Sequence, residues 1–214
     1  MRIAIPLFEG FTALDAVGPY QVLSRLPGAE TFLVAERTGP VLDDRGSLSL
    51  VAEKTLGEVT APDIVVVPGG PGQSGQMENA VLLDWLREAD ATTIWTASVC
   101  TGSLLLAAAG LLTGRRATSH WLALDSLREF GVEPTGERVV TDGKYITAAG
   151  VSSGIDMGLT LAGRLAGDRF AQSVQLLTEY DPQPPYDAGS PDKAPSDLVE
   201  ELRAKSRFIL RPAG

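Results

Sequence analysis

Cys100 is the only cysteine of the chain and sits where the sequence changes character. Before it runs Thr93-Ile-Trp-Thr-Ala-Ser-Val99, apolar and β-prone; after it comes Thr101-Gly-Ser-Leu-Leu-Leu-Ala-Ala-Ala-Gly110, which is helix-forming. Small residues stand two places away on each side, Ser98 and Gly102. Strand, sharp turn and helix with a nucleophile at the turn is the layout of a nucleophile elbow, here with cysteine in place of serine. A lone cysteine is more commonly a core residue, but here the spacing and the change of periodicity coincide and point to a nucleophile. The unpaired N–H groups at the start of the helix predict a thiol more acidic than a free one. The turn also predicts backbone angles outside the common regions at Cys100.

A thiolate that attacks an unsaturated carbon builds charge next door and needs donors. Thr101 N–H is one, and Gly70, in the glycine-rich turn Gly69-Gly70-Pro71-Gly72, is another candidate because no side chain blocks approach to it. The same pair also reads as an ordinary tight turn. Thr101 is suited to capping the helix, and its hydroxyl is also placed to touch a ligand. The proton donor is Asp15 or His120. His120 follows a strand, beside Trp121, in a position that equally suits a bonded histidine at the edge of the core. Asp15 follows the first strand and so reaches the carboxyl edge of the sheet, although Asp is also a common helix N-cap. A carboxyl close to a thiolate would be held toward its protonated form. Asp15 is therefore the preferred proton carrier, with His120 and Val151 as secondary site residues.

The elements that must hold these groups alternate. Arg2–Phe8, Glu30–Glu36 and Asp63–Pro68 read as strands, the last one fully apolar. A helix begins at Asp15 and runs to about Arg25, with Gly18-Pro19 early in it. Leu42–Gly46 with Ser47–Val51 suggests a hairpin, and Met77–Ala89 has helical spacing. Arg116–Ser119 reads as a short strand, Trp121–Phe130 as a helix stopped by Gly131, and Val139–Ala148 as a hairpin around Asp142-Gly143. Ser152–Ala166 and Arg169–Tyr180 read as helices broken near Gly167. Asp181–Pro195 holds five of the fourteen prolines and reads as an extended arm. A charged helix follows over 196–207, with Ser196 as its N-cap. Apolar strands alternating with helices predict a parallel sheet covered on both faces. The loop before Asp15, the Gly69-Gly70 turn and Cys100 should then meet beyond the carboxyl ends of its strands.

Composition narrows the chemistry. The chain has 214 residues, 44% hydrophobic, with net charge -9, which suits one α/β domain over 1–214 and argues against nucleic acid as a partner. The sequence shows no basic run, signal peptide or membrane-length apolar span, so no membrane partner is expected. A single cysteine fits a reducing cytoplasmic compartment. With one cysteine and one histidine, a Cys/His zinc site is not expected, nor any other metal or cofactor.

Pro68-Gly-Gly70, Ser98-Val-Cys-Thr-Gly102, Ala108-Ala-Gly-Leu-Leu112 and Arg116-Ala-Thr-Ser-His-Trp121 together resemble the ThiJ/PfpI superfamily, which has the class I glutamine amidotransferase-like fold. Leu14-Asp-Ala-Val-Gly-Pro19 matches the first loop of one branch, and the tail from Glu179 to Asp192 resembles that of the isonitrile hydratases. The resemblance covers nearly the whole chain. It implies a flavodoxin-like three-layer sandwich and a homodimer with Cys100 near the interface. It also implies a cofactor-free hydration in which Cys100 attacks the terminal carbon of an isonitrile. Asp15 then assists proton transfer, Thr101 lies in the site, and an N-substituted formamide leaves by way of a thioimidate. Peptidase and glyoxalase branches usually carry histidine directly after the cysteine, where this chain has Thr101. Amidotransferases carry a late histidine and glutamate, and nothing here follows His120 in that role. Asp15 stands where other branches have glutamate. Glu9-Gly10-Phe11-Thr12 departs from the pattern and bears on the substrate range. Two other readings stay open. One is a stand-alone ligand-sensing domain related to AraC-type transcription regulators, which carry a similar Cys-Thr-Gly and Thr-x-His-Trp signature ahead of a helix-turn-helix pair. The other is a redox-responsive protein in which Cys100 oxidises to a sulfinic acid. Tyr180 and Tyr186, aromatic residues among prolines, predict an arm packed against a protein body in a dimer.

Overall fold

The computed structural model describes residues 1–206; the end of the helix expected over 196–207 lies outside them. Strands β1 (Arg2–Pro6), β2 (Glu30–Ala35), β5 (Lys54–Thr55), β6 (Ile64–Val67), β7 (Trp95–Val99), β10 (Val139–Asp142) and β11 (Tyr145–Ala148) form one seven-stranded sheet in the order β10-β11-β7-β6-β1-β2-β5. All neighbours are parallel except the β10–β11 hairpin. Two small ribbons lie outside it, the hairpin of β3 (Gly39–Leu42) with β4 (Ser49–Ala52), and the short pair β8 (Arg116–Ala117) with β9 (Glu133–Pro134).

The inner strands are apolar on both sides because both sides are covered. Ile64–Val67 is entirely buried. Helices α1 (Ala13–Leu23) and α5 (Ser153–Ala166) pack together on one face, with α6 (Asp168–Leu177) against α5. On the other face α4 (Gly102–Ala108) contacts β6 and β7 and carries the short α2 (Gln73–Gln76) and α3 (Ala80–Asp90). The result is a mainly parallel three-layer α/β sandwich of the flavodoxin-like kind. The order of strands reverses between β1 and β6, so their carboxyl ends are where such sheets hold a ligand.

Local departures from the sequence reading each have a cause. Thr12, not Asp15, takes the N-cap position of α1, so Asp15 lies inside the first turn. Pro19 falls in the middle of α1 rather than early in it. A proline there cannot bond the carbonyl four residues back, that of Asp15. The segment Trp121–Phe130 is a 3-10 helix only from Leu124, and Gly131 ends it with a φ of 69°. Asn79 caps α3 through its side chain onto Val81 N–H, which starts that helix at Ala80. The first hairpin is displaced because Asp43 accepts from the N–H groups of Ser47 and Leu48 and so holds residues 43–48 as the turn. In the second hairpin Asp142 pairs with Tyr145, putting Gly143 and Lys144 at the turn. Ser196 is the first residue of α7 (Ser196–Ala204), and Pro195 precedes it at the cap.

The arm is described here on a single protomer. On its own chain, 181–195 is almost wholly exposed, and Tyr186 is 81% accessible. Tyr180, at its root, is half-buried, and its hydroxyl meets Arg138 and Asp156. Among the described residues no helix is long and apolar enough to cross a membrane.

Close packing at the elbow depends on two glycines. A Cβ on Gly102 would collide with the carbonyl oxygen of Val67, and one on Gly69 with the amide of Thr101. Neither neighbour is a flexible side-chain end that could yield. Gly102→Ala should lower stability by about 3 kcal/mol or prevent folding. Calorimetry of the purified variant checks this, and an unchanged melting temperature would show that α4 does not press on β6 as described.

Candidate active site

Cys100 occupies the turn between β7 and α4 with a φ of 58°, the left-handed region that costs a non-glycine residue about 1–2 kcal/mol. Its backbone is held on both sides. The Cys100 N–H donates to Ala148 O and Ala149 O at 3.1 and 2.9 Å. Its carbonyl accepts the hydroxyls of Ser103 and Ser119 at 3.2 and 3.1 Å. The strain is thus fixed by the neighbouring strand, by the first turn of α4 and by the segment after β8.

The three stretches expected at the carboxyl edge do meet. Asp15 is fully buried, and its Oδ2 accepts Gly69 N–H at 2.9 Å. Gly70 N–H donates to Thr101 Oγ1 at 2.9 Å. The Asp15 carboxyl and the Cys100 thiol are near enough for each to shift the ionisation of the other, and Asp15 Oδ1 has no hydrogen-bond partner among the described residues. Thr12 N–H donates to Gly69 O at 2.8 Å, locking the loop before α1 to the turn after β6.

Two assignments change with this geometry. The Gly70 N–H, expected to receive developing charge, already serves Thr101. The Thr101 hydroxyl does not cap α4, although the residue stands at the cap position; the Gly70 amide takes it instead. Its own proton has only Gly70 O, at a long 3.4 Å.

The electrostatics reverse another expectation. Cys100 is not more acidic than a free thiol. Burial pushes its pKa well above the usual value and the Asp15 charge adds to that, against the backbone N–H groups of Val151 and Thr101. A thiol sealed from water beside a carboxylate loses more than a helix start returns. Burial also pushes Asp15 up to about 7; Gly69 N–H and the thiol pull it down, and Asp44 raises it further. The main cause is therefore desolvation rather than charge sharing with a thiolate. At neutral pH the resting proton sits on sulfur, and the carboxyl beside it is near its midpoint.

His120 follows Ser119, whose hydroxyl bonds the Cys100 carbonyl. Its ring lies against Gly150, and its Nδ1 accepts Leu122 N–H at 3.2 Å. Burial lowers its pKa to about 4, so it is uncharged at neutral pH. Val151 has a definite position, with its N–H bearing on the Cys100 sulfur from the turn before α5. Sequence reasoning missed Gly69 as the residue that orients Asp15, Ser119 as a support of the elbow, and Asp44 as a charge acting on Asp15. The Pro68-Gly-Gly70 run signals the first; nothing in the local sequence signals the other two. Among the described residues no three His, Cys, Asp or Glu side chains cluster as metal ligands would.

Comparison with known proteins follows the same outline. Residues 1–164 match the DJ-1/PfpI family. The chain is 45% identical over 211 residues to isonitrile hydratase from Pseudomonas putida, covering 99% of this chain and 92% of that protein. It is 32% identical over 177 residues to the HTH-type transcriptional regulator CdhR of Pseudomonas aeruginosa, covering 80% of this chain but 52% of the regulator. A crystal structure of a ThiJ/PfpI family protein from Pseudomonas syringae superposes with a TM-score of 0.90 at 39% identity, covering 97% of this chain and 88% of that one.

The buried carboxyl has a thermodynamic signature. Asp15 has a folded pKa of about 7 against a usual 3.8, so between those values the folded state holds more protons than the unfolded one. Stability from this group is present at low pH and is lost as pH rises toward 7, by about 4 kcal/mol at most. Asp15→Asn keeps an acceptor for Gly69 N–H and has nothing to ionise. Its melting temperature should gain on that of the native protein as pH rises from 5 to 8, and parallel curves would show that Asp15 is not a buried acid.

Proposed function

The chain belongs to the DJ-1/PfpI family, and on that footing we propose that it is an isonitrile hydratase, a hydro-lyase that converts R–N≡C to an N-substituted formamide with Cys100 as nucleophile. The observation that carries this reading is the Asp15 carboxyl seated against Cys100, in a chain 45% identical to an isonitrile hydratase over nearly its whole length.

The proposed steps use only groups of the chain, substrate and water. Cys100 sulfur bonds the terminal isonitrile carbon. Asp15 accepts the thiol proton and passes it to that carbon, giving the thioimidate R–N=CH–S–Cys100. Water then adds to the carbon, losing one proton as the nitrogen gains one. The C–S bond breaks, sulfur recovers its proton from the new hydroxyl, and R–NH–CHO leaves. A carboxyl near its midpoint at neutral pH both accepts and donates at little cost, which suits a shuttle. In this scheme Gly69 orients Asp15, Gly70 orients the Thr101 hydroxyl toward the ligand, and Val151 N–H steadies the sulfur as it gains charge. His120, uncharged and bonded at Nδ1, has no proton role.

The likeness to CdhR supports a second reading, a ligand-sensing domain of the kind fused to DNA-binding helices. It accounts less directly for a protonatable carboxyl against the only thiol. Assembly as a homodimer completes the proposal. Its support is the apolar surface left open by one chain: Leu176 and Leu177 on α6, and Tyr186 on the arm. A monomeric mass in solution at micromolar concentration would remove that part.

Cys100→Ala should fold and have no hydratase activity. Asp15→Asn should lose on the order of a hundredfold in rate, and His120→Ala far less. The assay is hydration of cyclohexyl isonitrile by purified protein. An inactive His120→Ala beside an Asp15→Asn variant close to native activity would move the proton shuttle to the histidine.

A further inference from the structure

A second hollow stands at the carboxyl ends of β1, β2 and β5, which are neighbours in the sheet. It is a cavity of about 440 Å³, within the roughly 300–1,000 Å³ of small-molecule sites. Its floor is apolar and buried, made by Phe8 after β1, Val41 on β3, Leu56 after β5 and Leu82 on α3. Neither Cys100 nor Asp15 belongs to its walls. The turn that holds Asp15 is packed against the cavity wall from outside. A Cβ on Gly72 would meet Glu9 O at 2.0 Å, and one on Gly70 would meet Gly10 O at 2.5 Å. Gly72 N–H also donates to Gly10 O at 3.1 Å. Backbone lies on backbone there, so the wall beside Glu9 is closed toward that turn.

The rim carries both signs of charge. Glu9 and Arg37 line the cavity and are exposed, and among the described residues neither is engaged in an ion pair or side-chain hydrogen bond. Glu36, also at the rim, is taken up by the Asn79 amide. The same amide donates to Gln76 Oε1 at 2.7 Å, which leaves Gln76 Nε2 as a donor without a partner among the described residues.

We propose that this cavity is a second binding site, separate from Cys100, and that its ligand is an apolar α-amino acid such as leucine or phenylalanine. The ligand carboxylate pairs with the Arg37 guanidinium, whose fork matches it, and accepts from Gln76 Nε2. The ammonium group pairs with Glu9, and the side chain leaves water for the apolar floor. A plain carboxylate would face two acidic side chains, Glu9 and Glu36, and a plain amine would face Arg37. A zwitterion meets each sign with its opposite.

Isothermal titration calorimetry of the purified protein reads binding without turnover, so the result does not depend on the reaction at Cys100. L-Leucine and L-phenylalanine are compared with leucinamide, which lacks the carboxylate, N-acetyl-leucine, which lacks the ammonium, and glycine, which lacks the apolar body. Leucine and phenylalanine should each bind once per chain, and the three reduced probes should bind roughly tenfold more weakly or worse. Arg37→Ala should weaken leucine about as much as removing the carboxylate does, with little further loss for leucinamide. Glu9→Gln should do the same for the ammonium and N-acetyl-leucine. Cys100→Ala should bind leucine as the native protein does. The proposal is overturned by the absence of saturable heat from both amino acids at millimolar concentration, or by an affinity for leucine left unchanged in either rim variant. Binding that disappears in Cys100→Ala would also overturn it, because the ligand would then sit at the thiol.

Discussion

The left-handed backbone at Cys100 is the constraint on which the rest of the site depends. A cysteine pays about 1–2 kcal/mol to stand there, so the conformation persists only because its surroundings determine it from every side. Ala148 and Ala149 take its amide, and Ser103 and Ser119 fill its carbonyl. Gly69 and Gly102 let β6 and α4 close on the turn. The same contacts fix the site: Gly69, which must lack a side chain for Thr101 to pack, gives its N–H to Asp15. One steric requirement therefore shapes the turn and orients the acid.

Burial then sets the chemistry. Sealing a thiol and a carboxyl together makes ionisation of either expensive, and the helix start is too weak to reverse that. The pair keeps its proton on sulfur near neutral pH and leaves Asp15 close to its midpoint. Such a pair suits a reaction in which a proton must reach carbon as sulfur bonds to it. It suits less well a site that works through a standing thiolate.

Much of this was legible in the sequence because it rests on local signals. The switch from β-prone to helix-forming residues at Cys100 marks the elbow, and the apolar run Ile64–Val67 marks a strand buried on both faces. The position of Asp15 after the first strand places it at the carboxyl edge. What was hidden depends on distance in the chain. The acidity of Cys100 was misjudged because a helix start is visible in sequence while burial is not. Gly70 was read as a free donor because its partner, Thr101 Oγ1, lies thirty-one residues away. The hairpin tip that carries Asp44 to Phe11 leaves no local mark.

The central claim is that the resting pair keeps its proton on sulfur. Because Cys100 is the only cysteine, the far-ultraviolet absorbance of the thiolate, taken as the difference between native protein and Cys100→Ala across a pH titration, reports on it alone. The account predicts no thiolate signal at neutral pH, with the signal rising only in the alkaline range. A full thiolate signal at neutral pH would contradict it, because the proton would then have left the sulfur before any substrate arrived.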